Sequence, residues 1–198
     1  MKKSWIIIGV IILLLIMGYS MFKGYYNSFV TLEENVNQKW SQVENVYQRR
    51  ADLIPNLVEV VKGYATHEKE TLQAVVEARS KVGGQVNIGN DVLNNPQAFA
   101  KFQQAQGALT SALQRLMVVV ERYPELKADA RFADLQSQLE GTENRISVER
   151  GRFNQAVQEY NTVIRKFPAN ILAGIFGFQK KVYFQSDAGA EKAPKVKF

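Results

Sequence analysis

The sequence predicts an all-α protein, an N-terminal transmembrane helix followed by an antiparallel four-helix, coiled-coil-like bundle. Three observations predict it. From Ser4 to Phe22 run nineteen residues without a charge. Beyond them, apolar residues recur at alternating steps of three and four, the pattern of a helix with one buried seam. Towards the C-terminal side, Phe132, Leu139, Ile146, Phe153, Tyr160 and Phe167 repeat every seven residues, a spacing that implies knobs-into-holes packing and a left-handed supercoil.

As a helix the uncharged run is about 28 Å long, close to the ~30 Å hydrocarbon thickness of a bilayer. Trp5 on one side and Tyr19, Tyr25 and Tyr26 on the other stand where interfacial aromatic anchors belong. A cleaved signal sequence is the competing reading, drawn from Gly18 and Ser20, but the run exceeds the apolar core of such peptides. The α-amine, Lys2 and Lys3 precede the run, whereas only Lys23 closely follows it, before Glu33 and Glu34. The positive-inside rule then places the N-terminus in the cytoplasm and the remainder in the periplasm or another extracytoplasmic space. The expected division is an anchor over 1–23, a helical bundle over 24–179 and a basic, disordered tail over 180–198.

Within the bundle, the first seam reads Phe29, Leu32, Val36, Trp40, Val43, Tyr47, Arg50 and Ile54, and resumes after Pro55 through Leu57, Val61, Tyr64, Thr71, Val75 and Val82. Gly83, Gly84 and the polar stretch to Asn95 form the clearest loop. Asn95 followed by Pro96 reads as N-cap and first helical residue. The next seam is Phe99, Phe102, Gln106, Leu109, Leu113, Leu116, Val120 and Tyr123, ended by Pro124. The last long helix starts near Asp129 and is closed by Pro168. Cutting the chain at Pro55 gives segments of about 30, 27, 27 and 38 residues, suited to an up-and-down bundle. The seam keeps phase across Pro55, which favours one kinked helix instead. Turn and kink both remain open at that residue.

Composition removes several kinds of chemistry. There is no cysteine, so disulfides, thiolate metal sites, thiol nucleophiles and a lipidated cysteine are excluded. The net charge of +6 comes from the two ends of the chain, because residues 24–179 carry 17 basic and 17 acidic side chains. A nucleic-acid partner needs a basic stripe on the folded surface, and none is expected. His67 is the only histidine and has Thr71 where a zincin helix needs its second histidine. No triad, phosphate loop or carboxylate-only metal site stands out, so neither cofactor nor catalytic residue is assigned and the chain is read as a non-enzyme.

Polar residues within the seams are more informative, since a buried polar group costs free energy unless satisfied. Arg50 falls in the first seam; Thr142 and Glu149 fall in the companion row of the last helix. A buried layer pairing Arg50 with Glu143 or Glu149 is expected to fix helix register. Four antiparallel helices starting at a membrane return the fourth to it. The segment after that helix offers Ile171, Leu172, Ile175, Phe176 and Phe178, then Lys180 and Lys181, an apolar and basic order suited to an interfacial or partner contact. Capping of the bundle's open end is the structural alternative.

Several separated motifs give the chain a resemblance to a known family. They are Gln48-Arg49-Arg50-Ala51-Asp52-Leu53-Ile54-Pro55-Asn56-Leu57-Val58, Gly63-Tyr64-Ala65-Thr66-His67-Glu68 and Leu139-Glu140-Gly141-Thr142-Glu143-Asn144-Arg145-Ile146, followed by Tyr160-Asn161, Phe167-Pro168 and Phe176-Gly177-Phe178. In this order, behind an N-terminal anchor, they resemble the bacterial LemA family. Gly151 and Phe153 depart mildly from the residues more common there. The resemblance implies a single-pass protein of the bacterial inner membrane, a helical-bundle domain without established catalysis, and a link to membrane homeostasis and to membrane zinc metalloproteases of the heat-shock type. The expected function is therefore a scaffold or adaptor that forms a homo-oligomer or holds a partner such as a membrane protease. The alternative is a lipid-binding or membrane-remodelling module acting through the C-terminal segment on the bilayer.

Overall fold

The computed structural model describes residues 2–83 and 90–185. Their regular structure is all helical, with no strand: α1 spans Lys2–Tyr64, α2 Lys69–Gly83, α3 Pro96–Val120, α4 Pro124–Lys127, α5 Ala130–Arg165 and α6 Ala169–Phe176, with a 3-10 turn over Asn90–Asn94 before α3.

α1 runs unbroken through Pro55, so of the two alternatives open there the turn does not occur. Proline removes the N–H that would bind the carbonyl four residues back, which here is that of Ala51. Arg79 of α2 supplies the missing donor, its Nε giving a 2.8 Å hydrogen bond to the Ala51 oxygen. The helix therefore survives its proline because the neighbouring helix satisfies the orphaned carbonyl. Arg79→Met is expected to cost about 1–2 kcal/mol in the natural chain and markedly less beside Pro55→Ala, where residue 55 donates instead. Denaturant unfolding of both pairs checks this, and equal losses in the two backgrounds would refute it.

The chain reverses at Ala65–Glu68, ten residues beyond Pro55. Ala65 and Leu72 are buried where the expected seam had Tyr64 and Thr71. Paired residues give the directions. Tyr64 meets Asp129, Arg50 meets Glu143 and Trp40 meets Phe153, so α5 runs antiparallel to α1. Trp40 meets Phe99 and Arg50 meets Thr110, so α3 runs with α1. α2 has only 15 residues and accompanies the far half alone. Four helices of near-equal length are thus not what the chain forms. In the half nearer the apolar run, the 3-10 turn and the chain after α6 take the fourth position, with Val92, Leu93 and Phe184 buried there.

The core is accordingly of two kinds. The far half is aliphatic, built from Ile54, Leu57, Val61, Val75, Leu109, Leu113, Leu116 and Leu139 with Phe132. The near half is aromatic, with Trp40 at 5.3–6.1 Å from the rings of Phe102, Phe153, Phe99 and Phe184. Five members of the seven-residue repeat in α5 are buried, but Phe167 is 82% exposed because the helix stops at Arg165.

Side chains cap the starts of α3 and α5. The Asn95 side chain accepts from the N–H groups of Gln97 and Ala98 and caps α3. The Asp129 carboxylate caps α5 by accepting from the N–H of Arg131 at 2.7 Å and of Phe132 at 3.3 Å, and also takes the Tyr64 hydroxyl at 2.7 Å. The Arg131 side chain first, and the Tyr64 hydroxyl second, hold this carboxyl well below the usual carboxylate range. A depressed folded pKa contributes stability that is complete above the unfolded value of about 4 and is lost as pH falls through the folded one. The stability difference between the natural chain and Asp129→Asn is therefore expected to be full at neutral pH and to shrink below about pH 4. Thermal unfolding across that range measures it, and a pH-independent difference would contradict it.

Candidate functional site

Between the two cores lies one polar layer. Arg50 continues the seam of Val43, Tyr47 and Ile54 and is 1% exposed. Its Nη1 donates to Thr110 Oγ1 at 3.0 Å and to Glu143 Oε1 at 2.8 Å, its Nη2 donates to Gln106 Oε1, and its guanidinium lies 5.1 Å from the Tyr47 ring centroid. One side chain on α1 thus engages α3 and α5 together, and sliding either by a turn would break the set. Glu149 takes no part, contrary to expectation. It lies six residues, nearly two turns, beyond Glu143 and pairs with Arg152 of its own helix at 2.6 Å. Thr142 is buried but satisfied locally, donating to the Gln138 carbonyl.

Beside this layer a groove of about 570 Å³ separates α3 from α5, lined by Leu113, Met117, Leu139, Glu143 and Asn144. On the other side a second hollow of about 400 Å³ is bordered by Gln103, Gly107, Ser111, Ile146 and Arg150.

The chain after α6 is an extended strap. Gly177 adopts the left-handed conformation, φ 78°, and the Phe178 N–H reaches the Ala173 carbonyl at 2.9 Å, a glycine-requiring helix ending that turns the chain back. Residues 179–185 then climb α5. The Asn161 side chain donates to the Lys181 carbonyl and accepts from the Lys181 N–H; Asn154 does the same for Phe184. The register is geometric, since seven helical residues rise about 10.5 Å and three extended residues about 10 Å. Val182 N–H donates to the Leu93 carbonyl, and the Gln185 carbonyl accepts from Gln103 and Arg150. The Tyr160 hydroxyl donates to the Gln179 carbonyl; burial, with the Glu33 charge second, pushes its pKa up and keeps the proton in place.

These contacts revise the C-terminal expectations. The tail does not begin at residue 180, since Lys181 and Phe184 are buried; residues 186–198 lie outside the described residues. Lys181 is no membrane-facing cation. Its Nζ donates to Glu33 Oε1 at 2.6 Å and Asn94 Oδ1 at 2.7 Å. Leu172 faces inward, 4% exposed, and Phe178 is half-buried against Phe29 and Tyr26. Ile171, Ile175, Phe176 and Lys180 face outward. His67 is exposed on the turn between α1 and α2. Sequence reasoning missed the strap, although two asparagines seven residues apart on one helix were its available signal.

The fold and these surfaces define an all-helical class of protein in which one helix is long and apolar enough to cross a membrane. The LemA family model matches residues 39–198, and the chain belongs to that family. It is 33% identical over 178 residues to the magnetosome protein MamQ of Magnetospirillum gryphiswaldense, an alignment covering 80% of this chain and 64% of the relative. Magnetosome protein MamQ 2 of Paramagnetospirillum magneticum is 32% identical, with 81% and 64% covered. Protein LemA of Metamycoplasma hominis is 22% identical, with 85% and 72% covered. The chain thus spans about 64% of the length of the MamQ relatives.

Proposed function

We propose that this protein is a non-enzymatic scaffold or adaptor mounted in a bacterial cytoplasmic membrane, with its N-terminus in the cytoplasm and its helical domain outside. One observation carries the reading: the candidate span and one wall of the core are the same helix, without a break from the apolar run to Tyr64. A domain mounted without a linker is held at a set height and orientation, which serves a platform better than a tethered catalyst. The long seams are buried within one chain, so self-association or partner binding is assigned to the remaining surface. The groove between α3 and α5 and the tip around Arg122 and Glu125 are the surfaces available. Membership of a family linked to membrane homeostasis and membrane metalloproteases supports an adaptor, and relatives named as magnetosome proteins support a role tied to a specialised structure.

A second reading, a lipid-binding module, draws on the exposed Ile171 and Ile175. The mass of the full chain in mild detergent tests the scaffold: a defined oligomer or a retained membrane partner is expected. A monomer that cross-links to no protein in native membranes would remove the proposal. Protease added outside intact spheroplasts is expected to digest the domain, and protection would reverse the orientation.

A further inference from the structure

We infer that α6 is an in-plane interfacial helix whose outward face is embedded in the same bilayer that α1 crosses; this rests on the proposed anchoring of α1. Between Ala169 and Phe176 the only polar side chain is that of Asn170. Ala169, Leu172 and Ala173 are packed into the core, while Ile171 is 54% and Ile175 67% exposed, and Phe167, two residues before the helix, is exposed too. A helix apolar on all sides needs an apolar environment on all sides, and only one is supplied by the described chain.

Position identifies the other. The Phe176 ring meets the Tyr26 ring edge-on at 5.1 Å. Tyr26 lies four residues, about 6 Å of helix rise, beyond Phe22 and the end of the uncharged run. That height lies within the headgroup layer, from which an interfacial helix dips its apolar face towards the acyl chains, so α6 is attached at the level of the bilayer surface. Charge agrees with a lipid surface. Lys23, Arg165, Lys166 and Lys180 are exposed on the flanking segments, while Glu33 is neutralised by Lys181; Glu34, two turns above Tyr26, is the nearby exposed acid on α1. Such cations attract anionic headgroups.

The face cannot turn inward. Rolling α6 would withdraw Leu172 and Ala173 from the core, and the Gly177 turn and the asparagine-held strap fix its C-terminal end. A second copy fits the face poorly. A helix of eight residues is about 12 Å long and ~10 Å wide, offering on the order of 100 Å² where a stable interface takes about 800 Å² per partner.

The natural chain lacks cysteine, so single labels can be placed on the full protein. Leu14→Cys, Ile171→Cys, Ile175→Cys and Val118→Cys each take an environment-sensitive fluorophore after reconstitution in phosphatidylcholine–phosphatidylglycerol vesicles. All four positions are exposed, so none opens the core. Lipids carrying a shallow nitroxide are expected to quench residues 171 and 175 about threefold or more over residue 118 on α3, and a deep nitroxide to quench residue 14. Residues 171 and 175 quenched no more than residue 118, with residue 14 quenched, would overturn the inference and leave the anchor intact. Loss of quenching at residue 14 as well would remove both. Efficient disulfide dimers through unlabelled Ile175→Cys, without lipid quenching, would assign the face to a second copy and overturn it too.

Discussion

Replacing Phe184 by Ala is expected to destabilise the protein by about 3–5 kcal/mol, as a large-to-small change at a packed aromatic does. The residue lies in what reads as a tail, yet it is 6% exposed and its ring lies within 4.9–6.5 Å of Phe99, Phe153, Trp40 and Phe102. Its loss leaves a cavity bounded by three helices. Those helices cannot close on it readily, because the Arg50 layer fixes their register from above. Tyr183, on the outward side of the strap, is 38% exposed, and its replacement by Ala should cost under about 1 kcal/mol. Denaturant unfolding of the full chain in detergent, followed by circular dichroism and, in a Trp5→Phe background, by Trp40 emission, compares the two. Equal effects would mean that the strap does not form part of the core.

Glu143→Ala is expected to cost about 3 kcal/mol, whereas Arg50→Met should cost less, about 1 kcal/mol or under. The asymmetry follows from burial. The Arg50 side chain is 2% exposed and the Glu143 side chain 38%. Removing the glutamate strands a buried cation without its counter-charge. Removing the arginine leaves a carboxylate that water can reach and one buried neutral acceptor, the Gln106 amide oxygen, without its donor. Methionine also fills most of the vacated volume and needs no hydrogen-bond partner. In the double variant the Glu143→Ala penalty should vanish, which makes the cycle its own control. A comparable loss from Arg50→Met would show that the layer contributes net stability. If Arg50→Met is as stable and assembles as before, the layer has no role in specificity.

Much of this arrangement was legible because helical seams are periodic. Phe132, Leu139, Ile146, Phe153 and Tyr160 are buried as their spacing requires. Asn95–Pro96 and Asp129 start helices because capping is a local reaction of side chain with backbone. Arg50 stood out as a cation in an apolar row, and Gln106 occupied a seam in the same way. Pro55 carried two opposed signals, and the unbroken phase of the seam was the sound one. Matching segment lengths was the weaker guide, because nothing obliges the helices of one bundle to be equal. Glu149 and Glu143 look alike in the sequence, because spacing along one helix does not say which carboxylate lies level with Arg50 on another. The strap had no periodicity to betray it. An extended segment pairs through its backbone, and its recognition elements, Asn154 and Asn161, lie on another helix.

The continuity of α1 has a mechanical consequence. From Phe22 to Tyr64 the helix extends about 63 Å, without a hinge where the apolar run ends. In the proposed mounting, tilt within the bilayer and orientation of the domain are then a single degree of freedom. A transmembrane helix adjusts its tilt to local hydrocarbon thickness, and a change of about 10° would sweep the far tip by roughly 11 Å. The protein would therefore act as a pointer, converting a small difference in membrane thickness into a displacement about as wide as a helix at the surface furthest from the lipid.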